Sequence, residues 1–234
     1  MSGSKQVIYE DNHLLVVHKM AGQLSQGDIT KDPDVATLFM PYIKKKYNKP
    51  GNVFLQPVHR LDRPVSGCMI LARTSKASSR LTQAFRDGQV TKHYLAISDK
   101  RADQEFGTLE NRLIKDGTVN RVKVARTRDK KGKEAILKYE LISSLDGIHM
   151  YHIKPITGRS HQIRVQMSHI GVPLLGDLKY GGSKTETEQA IALHCFAMTF
   201  MHPTLKKSIT VKTYPSYPDY WKLFRDAMRS VDLK

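Results

Sequence analysis

His59-Arg60-Leu61-Asp62-Arg63-Pro64-Val65-Ser66-Gly67 sets one carboxylate between two arginines, in a turn between the apolar runs Val53-Phe54-Leu55 and Met69-Ile70-Leu71-Ala72. Aspartate, proline, serine and glycine are ordinary turn residues, so the stretch reads first as a loop carried by two extended segments. Loops on rigid strands also hold many catalytic groups. Arginines on both sides of an aspartate favour its ionised form and so suit it to act as a nucleophile. The turn is therefore the candidate centre of the chemistry.

Working outward, period and punctuation place the remaining elements. Val7 to Tyr9 and Leu14 to His18 read as a hairpin turning at Glu10 to His13. Pro33 to Tyr47 carries Val35, Leu38, Phe39, Tyr42 and Ile43 at helical spacing, with Asp32 as N-cap and Lys44-Lys45-Lys46 suited to a helix C-terminus. Ser75 to Asp87 is a second helix, with Ala77, Leu81, Ala84 and Phe85 inward and Gly88 as its stop. Val90 to Ile97 is a strand whose period of two puts Lys92 and Tyr94 on one face, His93 and Leu95 on the other.

From about 101 to 155 basic residues alternate with apolar ones. Asn120 to Arg126 and Ala135 to Leu141 read as antiparallel strands joined by the Asp129-Lys130-Lys131-Gly132-Lys133 loop. Ile148 to Ile156 is a strand leading into Thr157-Gly158-Arg159. Ser160 then caps a short helix ending near Gly171, with His161, Arg164 and Ser168 on one face and Ile163, Met167 and Ile170 on another. Ile191 to Met201 is apolar on both alternating sets, as in a central strand. Ser208 to Tyr214 adds a strand and Pro218 to Arg229 a closing helix. Strands outnumber helices and most connect without a helical crossover, which predicts an α+β fold with a mainly antiparallel sheet.

The 234 residues, 40% of them hydrophobic, contain no repeat and no linker-like tract, so a single domain over 1–234 is expected. The 38 Lys+Arg against 22 Asp+Glu give a net charge of +16, which favours a polyanionic partner. No apolar run reaches the ~18 residues of a membrane span, and the N-terminal residues lack the apolar core of a signal peptide. A cytoplasmic protein without a membrane partner or an obligate protein partner is expected. Cys68 and Cys195 lie in apolar runs without metal-ligand spacing and read as packing residues, and the ten histidines give no metal signal.

The nonapeptide resembles the signature His-Arg-Leu-Asp-x-x-Thr-Ser-Gly of the RluA family of RNA pseudouridine synthases, with Val65 at the threonine position. Leu14-Leu15-Val16-Val17-His18-Lys19-Met20-Ala21-Gly22 is similar to the family's first motif, a strand running into Lys-Pro-x-Gly, with Met20 where proline is usual. Lys92-His93-Tyr94-Leu95-Ala96 is similar to its Lys-x-Tyr-x-Ala strand. Thr157-Gly158-Arg159-Ser160-His161-Gln162-Ile163-Arg164 resembles its Thr-Gly-Arg-x-His-Gln-Ile-Arg block, and Gly176-Asp177 with Tyr180-Gly181 its extension.

The resemblance implies the pseudouridine synthase fold, a mixed, mainly antiparallel sheet with helices and loops around a catalytic cleft. It implies isomerisation of specific uridines in ribosomal or transfer RNA, without redox step, group donor or cofactor. Asp62 would be the nucleophile, Tyr94 would stack on the base and exchange protons, and Arg164 would pair with Asp62. Arg60 would fill the gap left by the flipped uridine, a role open also to Arg63. His59, Lys92, Arg159, His161, Gln162 and Leu193 would complete the substrate-binding set. Only about six residues precede the first motif, so a catalytic domain without an S4 domain is expected. Two other readings stand beside this one. A non-catalytic basic RNA-binding or ribosome-assembly protein is opposed by the intact Asp62, Tyr94 and Arg164 set. An RNA hydrolase using His59, His161 or His194 would need a paired-histidine or metal-carboxylate arrangement that the sequence does not display.

Overall fold

The computed structural model describes residues 3–116, 120–126, 129 and 131–233. In chain order its elements are β1 (Val7–Glu10), β2 (Leu14–Lys19), α1 (Val35–Lys46), β3 (Gln56–Pro57), β4 (Ser66–Ala72), α2 (Ser75–Arg86), β5 (Thr91–Ser98), β6 (Phe106–Lys115), β7 (Val122–Val124), β8 (Lys133–Leu145), β9 (Ile148–Pro155), α3 (Gln162–His169), β10 (Leu193–Met201), β11 (Ser208–Lys212) and α4 (Arg225–Ser230). They fall into two compact units, Met1–Thr91 with Cys195–Tyr214, and Lys92–His194 with Pro215–Lys234.

In the first unit, the Asp11 carboxylate turns the β1–β2 hairpin by accepting from the backbone N–H of His13 and Leu14 at 2.7 and 2.8 Å. β2 lies antiparallel to β4, from Leu14 opposite Ala72 to Lys19 opposite Gly67. Beyond β4 comes β10, which enters this unit at Cys195 and pairs antiparallel with β11. Leu15, Val17, Met69 and Leu71 of the sheet bury against Val35, Ala36, Phe39 and Ile43 of α1. α1 starts later than the sequence predicts. Its N-cap is Asp34, which accepts from Thr37 N–H at 2.9 Å, because Asp32 is drawn away into a 2.7 Å ion pair with Arg63. Leu38 turns outward and Ala36 takes its place in the core. α2 matches its expected span, capped by Thr74. Val53 to Leu55 forms no strand; the short β3 pairs with β4 instead.

Gly67, last residue of the opening nonapeptide, has φ +127°. A Cβ there would overlap the backbone of Cys195, 2.5 and 2.7 Å from its N and carbonyl C and closer still to its O. Only glycine lets β10 come this close to the start of β4. The signature thus encodes a packing requirement as well as a carboxylate.

In the second unit β5 pairs with β9, β9 with β8, β8 with β6 and β6 with β7, all antiparallel. β6 corrects the expected hairpin of 120–126 with 135–141: it lies between β7 and β8, with Leu113 opposite both Val124 and Lys133. Its inward positions include Gly107 and Asn111, which break the apolar alternation that would have revealed it. Of the expected lysine-rich loop, Lys130 lies outside the described residues.

α3 is also not the amphipathic helix predicted. Gln162 through Met167 are all buried, and the Gln166 amide donates to Leu109 O at 3.0 Å, Ala135 O at 3.1 Å and Asn111 Oδ1 at 2.8 Å, docking α3 on β6 and β8. Ser160 does not cap it. His161 precedes the helix in a left-handed conformation, φ 52°, and makes no side-chain cap. The closing segment is a tight turn over Asp219–Phe224 followed by α4, burying Trp221, Phe224 and Met228. Cys68 and Cys195 are buried free thiols. The two units together make an α+β protein, and among the described residues no helix is long and apolar enough to cross a membrane.

Candidate active site

The turn from Leu61 to Val65 has no strand to satisfy its backbone, and buried peptide groups must find partners. The segment from Lys19 to Ser25 supplies them. Ser25 Oγ donates to Leu61 O at 2.7 Å and accepts from Leu61 N–H at 3.0 Å. Gly22 N–H donates to Arg63 O at 2.8 Å, and Arg63 Nε donates back to Gly22 O at 3.0 Å. Lys19, wholly buried, directs Nζ at the carbonyls of Met20, Asp62, Arg63 and Val65, 3.1, 3.3, 3.1 and 2.7 Å away. Val65 N–H closes the turn onto Asp62 O at 3.0 Å.

Each signature residue has a definite place in this frame. Asp62 is half-buried and Arg60 exposed. Arg63 is committed to Asp32 and Gly22, so of the two arginines it is the one tied to protein. His59 accepts from Ile70 N–H at 3.0 Å through Nε2 and stacks on Phe85 of α2, ring centroids 4.6 Å apart, which pins the entry to the turn. Burial pushes the Lys19 amine down to about 7, with Asp62 opposing that shift and Arg63 adding to it. His18, half-buried and next to the Lys19 charge, is pushed down to about 4 by desolvation first and that charge second.

The second unit carries the other predicted residues. On β5, Lys92 and Tyr94 are half-buried on one face while His93 and Leu95 are buried on the other, as the period of two required. A Cβ at Gly158 would stand 3.5 Å from Lys92 Nζ, so the amine lies against the Thr157–Arg159 turn. That turn is held by Gln162: its Oε1 accepts from Thr157 Oγ1 at 2.7 Å and from Arg159 N–H at 2.9 Å, and its Nε2 donates to Ile136 O at 3.0 Å. Arg159 itself is exposed, with Nε donating to Glu134 O at 2.8 Å. His161 is buried, Nδ1 sharing a 2.7 Å hydrogen bond with the Tyr180 hydroxyl, which accepts from Val122 N–H at 2.9 Å. Leu193 is buried at the start of β10.

Arg164, which the sequence reading aimed away from the core stripe, is buried. Asp177 is set against it: Nε donates to Oδ2 at 2.7 Å and Nη2 to Oδ1 at 2.8 Å, a two-pronged pair with side chains 7% and 1% exposed. Its guanidinium also lies over the Tyr180 ring, 5.1 Å from the centroid. Asp177 and Lys19 are the residues that sequence reasoning left without a role, although both stand inside quoted motifs. Their signal was present in motif position; what they touch was not.

The family model described as RNA pseudouridylate synthase matches residues 13–169. A ribosomal large subunit pseudouridine synthase D from Zymomonas mobilis is 34% identical over 217 residues, covering 87% of this chain and 67% of that protein. A dual-specificity RNA pseudouridine synthase RluA from Haemophilus ducreyi is 31% identical over 220 residues, covering 90% of this chain and 93% of that protein. Among solved structures, human RNA pseudouridylate synthase domain containing 4 superposes with a TM-score of 0.78 at 21% identity, covering 97% of this chain and 94% of that one. Human RNA pseudouridylate synthase domain containing 1 gives 0.68 at 20% identity, covering 97% and 95%. These two structures speak to the fold.

Proposed function

We infer from the family match, the relatives and the fold that this chain, which belongs to the RNA pseudouridylate synthase family, isomerises uridine to pseudouridine in RNA. The net reaction breaks the N1–C1′ bond, forms a C5–C1′ bond and moves one proton from C5 to N1. Atoms and electrons balance without any other reactant.

Asp62 is the proposed nucleophile, since a carboxylate can attack, hold the substrate while the base turns, and leave again. Tyr94 offers a ring for the base to stack on and a hydroxyl to move the C5 proton. An arginine has five N–H donors, and two of those of Arg164 serve Asp177. The same guanidinium is proposed to meet Asp62 and fix its direction. Arg60, exposed where Arg63 is tied down, is the better candidate to fill the space of a flipped uridine. Lys92 and Arg159 suit phosphate contacts. His59, His161, Gln162 and Leu193 serve substrate binding by holding the walls around it.

The substrate is proposed to be ribosomal or transfer RNA, with the target uridine in a loop, where leaving the stack costs least, and the setting to be the cytoplasm. The observation that carries the reading is that Asp62, Tyr94 and Arg164 all lie within the matched span, 13–169. RNA labelled with tritium at uridine C5 tests it. Wild type should release tritium, while Asp62→Asn should keep its fold and RNA affinity and lose turnover by about three orders of magnitude or more. Turnover of Asp62→Asn within about tenfold of wild type would overturn the assignment of the nucleophile. RNA binding by wild type without tritium release would favour a non-catalytic RNA-binding protein.

A further inference from the structure

Lys19 is a buried charge that the proposed chemistry leaves unused. Its Nζ faces oxygens of the backbone, the carbonyls of Met20, Asp62, Arg63 and Val65. A protonated amine brings three N–H donors to those oxygens, and a neutral amine only two, with a lone pair facing acceptors. Hydrogen bonds from a charged donor are also about twice as strong as those from a neutral one. Three of the four carbonyls belong to the turn that carries Asp62. Drawing them toward Lys19 fixes the peptide planes that follow Asp62, while Ser25 holds the Leu61 carbonyl before it, and together they set the direction of the Asp62 side chain.

We propose that Lys19 is a positioning residue whose proton holds the Asp62 turn in its working shape, and that losing the proton loosens the turn and slows the reaction. This rests on the reading that the Asp62 turn is where the reaction occurs. The groups facing Lys19 fit the role. Asp62 favours the ammonium and Arg63 opposes it, both from the turn. Next to it on β2, His18 is pushed down to about 4 and so is neutral where Lys19 titrates. On β4, burial and nearby Cys195 push the Cys68 thiol well up, which keeps it protonated. The change in charge around neutrality therefore belongs to Lys19, which burial brings down to about 7.

Activity and stability should then move in opposite directions with pH. The folded-state value, about 7, lies below the ordinary 10.5, so between them the unfolded chain holds a proton that the folded one has lost. Stability contributed by Lys19 rises with pH across that window. A lysine that merely props up the fold would give no fall in turnover as its contribution to stability grows.

The test has three readings on the intact protein. Tritium release should show wild-type kcat falling above a midpoint near 7, with KM for RNA little changed. Amide exchange at Val65 and Gly22, corrected for the intrinsic pH dependence, should lose protection through the same midpoint. Melting of wild type should gain on that of Lys19→Met as pH rises, and Lys19→Met, if folded, should be slow at every pH without that midpoint. Flat kcat and flat protection across the window would overturn the proposal, and the exchange reading decides it even where Lys19→Met fails to fold. Absence of tritium release at any pH sinks the proposed reaction instead, while the exchange reading still settles whether Lys19 holds the turn.

Discussion

Replacing Asp177 by asparagine removes one charge from a site where the structure leaves almost no water to replace it. The two hydrogen bonds to Arg164, 2.7 and 2.8 Å long, join side chains only 7% and 1% exposed. The introduced amide could accept one of those bonds through its oxygen, but its nitrogen would face a guanidinium that can only donate. Breaking a buried pair by neutralising one partner costs about 3–5 kcal/mol, because the remaining charge stays buried. Against a total stability of about 5–15 kcal/mol, that is a large fraction. Urea unfolding of Asp177→Asn should show the loss directly, and the double variant Arg164→Met/Asp177→Leu should recover most of it, since an apolar pair has no charge to desolvate. Tritium release should stay low in the double variant, because the guanidinium proposed to orient Asp62 is gone. A loss below about 1 kcal/mol, the scale of a solvated ion pair, would refute the view that Asp177 is the principal counter-charge of Arg164.

Two further outcomes follow from the packing and the charge. Gly67→Ala drives a methyl group into the Cys195 backbone at a φ of +127°, so overpacking and backbone strain of about 1–3 kcal/mol each should lower the urea midpoint; an unchanged midpoint would show that β10 can move away from β4. If exposed lysines and arginines supply RNA affinity, log K should fall linearly with log salt by roughly 0.7 per phosphate contacted on single-stranded RNA, and a salt-independent affinity would contradict that source of binding.

Much of the fold was legible because its buried elements announce themselves locally. β2, β4 and β10 are apolar runs buried along nearly all their length, and α2 shows its stripe and stop within a dozen or so residues. β6 was not legible, since Gly107 and Asn111 occupy inward positions where an apolar residue would have marked the period. Gly107 lies against the Tyr139 ring, and Asn111 accepts from the Gln166 amide, so each answers to a neighbour distant in sequence rather than to its own strand. The start of α1 failed for a related reason. Asp32 and Asp34 are equally good caps by local chemistry, and Arg63, thirty-one residues away, takes the first.

The candidate site divides along the same line. Asp62 stands out from its own neighbours, because two flanking arginines, a proline and a glycine mark a turn around a single carboxylate. Arg164 could be picked out only by resemblance, and its helical period misled: a helix buried on every side has no polar face, so a face assignment says nothing about where a charge points. What holds Arg164 is an aspartate thirteen residues on, beyond a glycine, and what holds the Asp62 turn is a lysine forty-three residues back. Neither partner differs in type from the many surface aspartates and lysines of a chain with 38 Lys+Arg and 22 Asp+Glu. Burial is what distinguishes them. A buried cation facing carbonyls or a buried carboxylate cannot reach RNA phosphate, so the roles proposed for Lys19 and Arg164 concern the geometry of the reaction, while affinity is proposed to come from the exposed cations. Substitution at either should therefore change turnover or stability while leaving the salt dependence of RNA binding as it was.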